Sequence, residues 1–277
     1  MFKSIDGRKI KDEILKEVSE KVQTLPFVPI FCDILVGDNL VSASYVRMKQ
    51  RTAEKVGIKF KTAEFKDDIT TEELVSEIEN LNRVPHMCGI IVQLPLPRHI
   101  DKRIVLDSIS PELDVDCLSK TSEENFYNDK ATLSYPTALA CLRILENVPI
   151  DLKDKSIVVL GTGMLVGKPV AHLLKTKGLK ITSINTSTED AESLIKNADV
   201  VISAIGKGKF INSDMIKEGA IIVDAGASEE DGGVVGDVDI ESVRDIASYI
   251  SPTPGGVGPV TVAMLMNNVL KVAQGKI

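Results

Sequence analysis

Short apolar runs rich in Ile and Val alternate with segments of helical periodicity along nearly the whole chain. Runs that are apolar on both faces belong in a parallel sheet covered by helices, so the pattern predicts an α/β protein. In the first half it predicts strands at Pro29 to Val36, Ile58 to Phe65 and Cys88 to Gln93. Helices are expected between them, near Leu40 to Val56 and Thr71 to Leu81, which makes a βαβαβ block. After the polar stretch Ser119 to Lys130, strands are expected near Ser156 to Leu160, Lys180 to Ile184, Asp199 to Ala204 and Ala220 to Asp224, with helices starting near Leu165 and Glu189. A linking helix, Thr137 to Glu146, is entered after Pro136, a residue suited to a first turn where its missing N–H is no loss. The last periodic segment, Pro259 to Val272, is expected to pack back on the first block. The one obvious loop tract is EEDGG, Glu229 to Gly233.

Composition narrows the class. With 277 residues, 43% of them hydrophobic and 26% charged, the chain suits an ordinary globular protein of one large or two medium domains. Its 33 basic residues against 40 acidic ones give a net charge of −7, which argues against a broad nucleic-acid footprint. Trp is absent and aromatics are scarce, so base-stacking platforms are hard to build. Cys32, Cys88, Cys117 and Cys141 are scattered without a CxxC, and His86, His99 and His172 form no cluster, which disfavours a metal site or a disulfide framework. Charges interrupt the N-terminal segment, and no stretch approaches the roughly 20 apolar residues that span a bilayer. No membrane partner and a cytoplasmic location are expected.

The strongest local motif is GTGMLVGKP, placed directly after strand SIVVL and before a helix. Gly161, Gly163 and Gly167 stand where a dinucleotide pyrophosphate meets a helix N-terminus, because small residues allow close backbone approach and exposed N–H groups attract phosphate. The spacing is GxGxxxG, with Val166 in the third glycine's usual place, so a purely structural turn is the alternative. The second strand of this block ends ITSINTST, offering Asn185, Thr186 and Ser187 rather than a carboxylate. That leans toward NADP, since nothing repels a 2′-phosphate, yet no arginine is present to grip one. NAD therefore stays possible.

SASYVRMK places Ser42, Tyr45 and Lys49 on roughly one helical face. Alone, that pair reads as a solvated lysine above a half-buried tyrosine. Its company changes the reading: VGDNLVSASYVRMK, GIIVQLPLP, DVD (Asp114 to Asp116), GTGMLVGKP, VVGDVD (Val234 to Asp239) and PTPGGVGPVT occur in this order. On these segments the chain resembles the bifunctional methylenetetrahydrofolate dehydrogenase/cyclohydrolase (FolD) family over essentially its full length.

The resemblance implies an N-terminal α/β folate-binding and catalytic domain, residues 1–137, with the C-terminal helix 260–277 returning to it. A Rossmann-like NAD(P)-binding domain with a parallel sheet would occupy 138–259. Lys49 would be the catalytic lysine, with Tyr45 orienting substrate and Gln93 hydrogen-bonding the lysine. Asp116 would anchor the pterin ring, and Ser42, Leu94, Pro254, Gly255 and Gly256 would border tetrahydrofolate derivatives lying between the domains. NADP would be held by Gly161, Thr162, Gly163, Val166, Gly167, Thr186 and Ser187. A homodimer is expected from the same resemblance. An amine lining a partly apolar cleft loses proton affinity, and a neutral amide partner such as Gln93 does not oppose that as a carboxylate would.

Three departures from the family pattern bear on specificity. Thr162 and Gly163 replace the usual Arg and Ser, LDVDC replaces KDVDG, and LSYP ending at Pro136 replaces PCTP. Two other readings compete. A shikimate-dehydrogenase-like enzyme leaves VQLPLP and PGGVGP unexplained, and a nucleotide-sensing regulator has no need of Lys49, Tyr45 and Gln93 together.

Overall fold

In the computed structural model, which describes residues 2–230 and 233–277, the strands in chain order are β1 (Lys3–Ser4), β2 (Ile30–Val36), β3 (Lys59–Phe65), β4 (Met87–Val92), β5 (Ile157–Leu160), β6 (Ile181–Ile184), β7 (Val200–Ser203), β8 (Ile221–Asp224), β9 (Ser228–Glu230), β10 (Gly233–Val235) and β11 (Tyr249–Ser251). The helices are α1 (Gly7–Val22), α2 (Leu40–Lys55), α3 (Thr71–Asn82), α4 (Lys102–Asp107), α5 (Lys120–Tyr127), α6 (Pro136–Glu146), α7 (Gly167–Thr176), α8 (Ala191–Lys196), α9 (Ile240–Val243) and α10 (Val257–Gln274). Two units result: Met1–Asp12 with Thr137–Thr261, and Glu13–Pro136 with Val262–Ile277.

The unit built on Glu13–Pro136 has a three-stranded parallel sheet in the order β3-β2-β4. Its central strand β2 buries Phe31, Cys32 and Ile34 completely, as expected of a strand covered on both faces. Helix α3 starts where Thr70 and Glu73 form a reciprocal capping box, so its first turn is fixed by local sequence. The C-terminal part of α10 joins this unit through Asn268. That side chain is buried and donates from Nδ2 to the carbonyls of Val115, at 2.9 Å, and Ser134, at 2.8 Å.

The other unit has a six-stranded parallel sheet, β1-β11-β8-β7-β5-β6. Its core includes Val158, Leu160, Val201, Ile222 and Ile250. Because every strand runs the same way, the loops after β5, β6, β7, β8 and β11 share the carboxyl edge of the sheet, where ligands bind in such folds.

The structure corrects two expectations. Residues 1–137 do not all belong to the first block: Lys3 N–H donates to Ser248 and Ile5 N–H to Ile250, which makes β1 an edge strand of the six-stranded sheet beside β11. The tract 229–233 is not simply a loop, since Ser228–Glu230 and Gly233–Val235 pair as an antiparallel ribbon. Asp231 and Gly232 of that tract lie outside the described residues. No helix among the described residues is long and apolar enough to cross a membrane.

Candidate active site

Helix α2 begins at Asn39, whose side chain accepts the N–H of Ser42 at 2.9 Å. Its buried positions are Ser42, Val46, Lys49 and Ala53, a stripe of alternating four- and three-residue steps along one face. The stripe therefore carries a lysine into the interior, where Lys49 is only 8% exposed. A buried ammonium needs partners. Lys49 Nζ donates to Gln93 Oε1 at 2.9 Å and lies 2.7 Å from Asp33 Oδ2. Gln93 is itself fixed, with its backbone N–H on Ile34 O and its Nε2 on Leu94 O, both at 2.8 Å, which aims Oε1 at the lysine. The Leu94–Pro95 peptide is cis.

Asp33 sits in the middle of β2 and is completely buried. Burial pushes its carboxyl above the usual range, and the charge of Lys49 pulls it back. Asp116 is half-buried, and its carboxyl is pushed up to about 6 by desolvation, with Lys49 opposing and the carboxylates of Asp114 and Asp33 adding to the rise. Tyr45, one turn before Lys49 on α2, is 44% exposed.

On the six-stranded sheet, β5 runs into the glycine loop. Gly161 has φ +91°, and a side chain there would strike the carbonyl of Ala204. A side chain on Gly167 would strike the carbonyl of Gly161, so these two glycines set the close approach of strand and helix. Gly163 faces open space, and Thr162, Gly163, Met164 and Leu165 are exposed. Val166 precedes α7 without a side-chain cap, leaving the helix start without a capping side chain. Gly161 N–H donates to Ile184 O at 2.8 Å, which ties the loop to the end of β6. There Asn185 Oδ1 accepts both the N–H and the hydroxyl of Ser187, at 2.9 and 2.7 Å. Ser187 thus has its donors committed, while Thr186 is exposed.

Two buried carboxylates shape the neighbouring loops. Asp237 accepts from Ser203 Oγ at 2.6 Å and from the N–H groups of Ile205 and Lys207, both at 2.8 Å, and so holds the loop after β7. Asp224 accepts the N–H groups of Gly226, Asp237 and Val238, each at 3.1 Å. Its carbonyl receives the Thr253 hydroxyl at 3.1 Å, fixing the Pro252–Gly256 turn in which Thr253–Pro254 is cis and Gly255 has φ +108°.

Comparison with known proteins places this pairing of sites. The tetrahydrofolate dehydrogenase/cyclohydrolase catalytic-domain model matches residues 5–116, and the NAD(P)-binding-domain model of the same enzymes matches residues 135–277. The chain belongs to the tetrahydrofolate dehydrogenase/cyclohydrolase family. The bifunctional protein FolD of Staphylococcus aureus is 38% identical over 272 residues, 97% of this chain and 95% of the relative. The crystal structure of the bifunctional FolD enzyme from Campylobacter jejuni superposes with a TM-score of 0.95 at 37% identity, covering 100% of both chains. That of the Trypanosoma brucei enzyme, complexed with NADP cofactor and an inhibitor, gives a TM-score of 0.92 at 34% identity over 99% of this chain and 98% of the other.

Within this family member, the residues expected from sequence fall into two sets. Lys49, Gln93, Leu94, Asp116, Ser42 and Tyr45 share the unit built on β2. Pro254, Gly255 and Gly256 belong instead to the unit that carries the glycine loop, at the end of β11. The expected neutral amide partner, Gln93, is joined at the lysine by a carboxylate, Asp33, which sequence reading passed over. Its signal was visible: one acid inside the otherwise apolar run IFCDILV. Asp224 and Asp237 were missed as loop anchors for the same reason, as polar residues ending or following apolar strands.

Proposed function

We propose that Lys49 carries the proton transfers in the reactions of this family: oxidation of 5,10-methylenetetrahydrofolate to the 5,10-methenyl form with NADP, and hydrolysis of that form to 10-formyltetrahydrofolate. The observation that carries the reading is a lysine held in the interior of a helical stripe between Gln93 and Asp33. Lysines are seldom buried, and burial is what tunes a lysine for proton transfer.

In hydrolysis, water adds to the bridging carbon of the methenyl cation and loses a proton. The C–N5 bond then breaks as the formyl C=O forms and N5 gains a proton, and one proton is released overall. Lys49 Nζ takes the proton from water and delivers one to N5. Gln93, anchored by two hydrogen bonds of its own, fixes where Nζ points. Asp116, as its carboxylate, accepts N–H donors of the pterin ring. Tyr45, Ser42 and Leu94 border the folate, and so, in this reading, do Pro254, Gly255 and Gly256.

The fit to NADP rests on the glycine loop: close backbone packing at Gly161 and Gly167, an open face at Gly163, and an uncapped helix start. Gly161, Thr162, Gly163, Val166 and Gly167 hold the pyrophosphate side, and Thr186 is the exposed hydroxyl beside the 2′ position. Ser187 contributes to loop shape rather than as a donor. When bound, NADP accepts the hydride from the one-carbon bridge. The family resemblance also supports a cytoplasmic homodimer, and the acidic charge supports small-molecule rather than nucleic-acid partners.

Mixing the protein with methylenetetrahydrofolate and NADP, then NAD, while following methenyl and reduced-nicotinamide absorbance tests the reading. Reduced NADP and methenyl product should rise together, and the methenyl signal should then decay faster than in buffer. Reduction without accelerated decay refutes the hydrolytic half, and no reduction with either cofactor refutes the whole.

A further inference from the structure

The mechanism above leaves the buried Asp33 unused. Asp33 differs from the other buried carboxylates in what surrounds it. Asp224 receives three backbone N–H groups, Asp237 receives two N–H groups and a hydroxyl, and Asp114 receives the N–H groups of Leu118 and Ser119. Donors of that kind favour the charged form and oppose the rise that burial causes, which still takes Asp224 to about 6. Neither carboxyl oxygen of Asp33 has a hydrogen-bond partner among the described residues, and Oδ2 is met by the Lys49 ammonium as an ion pair at 2.7 Å. A buried carboxylate supported by a single cation is the one best placed to take that cation's proton. The transfer converts an ammonium and carboxylate into an amine and acid of the same net charge, and leaves no ion in the apolar interior.

We propose that Asp33 is a positioning and proton-holding residue for the hydrolytic step, accepting the Lys49 ammonium proton on Oδ2 and so freeing the Nζ lone pair for the attacking water. An N–H bond of the ammonium breaks as an O–H bond forms on Oδ2. Lys49 then takes a proton from water as the C–O bond forms and passes a proton to N5 as the C–N5 bond breaks. The proton released overall leaves to solvent as the pair returns to ammonium and carboxylate. The inference rests on the reading of Lys49 as the proton-transfer group. The charged and titratable groups around the pair are Asp114 and Asp116 from the segment after β4, Cys32 beside Asp33, and Lys61 on β3, whose charge reaches Cys32.

Asp33 is accessible to a direct test because an internal acceptor and solvent give different pH dependences. In the wild type, activating the amine changes no net protonation of the pair. In Asp33→Asn it requires net loss of a proton. The ratio of methenyl-hydrolysis kcat, Asp33→Asn over wild type, should lie below one and rise with pH. Removing the Asp33 charge also lowers the pKa of the Asp116 carboxyl, so the ratio is read above pH 7, where Asp116 is ionised in both proteins. KM for the folate and Kd for NADP should change little, and Asp33→Glu, which keeps an acceptor, should hold a ratio independent of pH. A pH-independent ratio for Asp33→Asn, or the same slope in Asp33→Glu, overturns the proposal. If Asp33→Asn does not fold, Asp33→Val carries the same test, since valine fills the strand position without a polar atom. Lys49→Met separates the two readings: retained hydrolysis there refutes the role of Lys49, whereas lost hydrolysis with a flat Asp33→Asn ratio refutes Asp33 alone.

Discussion

Replacing Lys49 by Met keeps a similar side-chain length and removes the proton-transfer group, so from sequence the fold is expected to stay largely intact. The presence of Asp33 alters that expectation. In Lys49→Met the Asp33 carboxyl is left in the interior with neither ion-pair partner nor hydrogen bond. Breaking a buried pair by removing one partner costs about 3–5 kcal/mol. The folded protein escapes part of this by protonating Asp33, whose pKa already lies above its ordinary value of 3.8 through burial and rises further once Lys49 no longer opposes the shift. A group with a raised folded-state pKa contributes fully below its unfolded value, and that contribution is lost as pH rises toward the folded one. The loss is about 1.4 kcal/mol for each pH unit by which the folded-state pKa exceeds the unfolded one. Thermal unfolding followed by circular dichroism should therefore give a Tm for Lys49→Met that lies below wild type and falls further as pH rises from 5 to 7. The double variant Lys49→Met with Asp33→Asn should show no such slope. Parallel Tm curves for wild type and Lys49→Met across this range would mean that Asp33 carries no charge to be stranded, and the account of the pair would fail.

Gly167→Ala places a methyl group against the carbonyl of Gly161, so KM for NADP should rise about tenfold or more while methenyl hydrolysis, which needs no nicotinamide, persists; equal loss of both activities in kinetic assays would contradict this separation. Thr162→Arg supplies in the glycine loop the guanidinium that the family pattern carries there, and charge-assisted bonds are about twice as strong as neutral ones. Titration should show NADP tightening about tenfold with NAD nearly unchanged, and equal gains for both would show that the 2′ position is misplaced. Asp116, with its carboxyl pushed up to about 6, must be ionised to accept pterin N–H donors. KM for methylenetetrahydrofolate should therefore climb as pH falls through about 6, and Asp116→Asn should abolish that dependence; a KM flat from pH 5 to pH 8 removes Asp116 from the pterin site.

Most of the fold follows from periodicity. The strands that contain Phe31, Ile90, Val159, Ile202 and Ile222 bury apolar side chains on both faces. The strand Lys3–Ser4 could not be found that way. Two residues with exposed side chains carry no period, and their pairing with β11 depends on a strand about 245 residues distant. The ribbon flanking Asp231 and Gly232 was hidden by its own composition, because acidic residues and glycine read as loop unless a partner strand is known. At the site, motif order located Lys49 and Gln93 but not their geometry. Asp33 was in plain view, yet one polar letter in an apolar strand has no chemistry until something is seen to face it.

Three completely buried aspartates end with different functions because of their backbone surroundings. Asp224 and Asp237 lie at or beyond strand ends, where loop N–H groups are unpaired by the sheet and point inward to meet them. Their charge is consumed in holding the loops around the glycine motif. Asp33 lies mid-strand, where β3 and β4 on either side already take the backbone hydrogen bonds of β2. No loop amide is left to reach its carboxyl, so the partner has to come from a side chain of the covering helix. The stripe of α2 puts Lys49 at that height, one turn beyond Tyr45. A carboxylate without backbone donors is a poor structural anchor and a good proton acceptor, and this location on the sheet is what makes Asp33 available for chemistry while Asp224 and Asp237 are not.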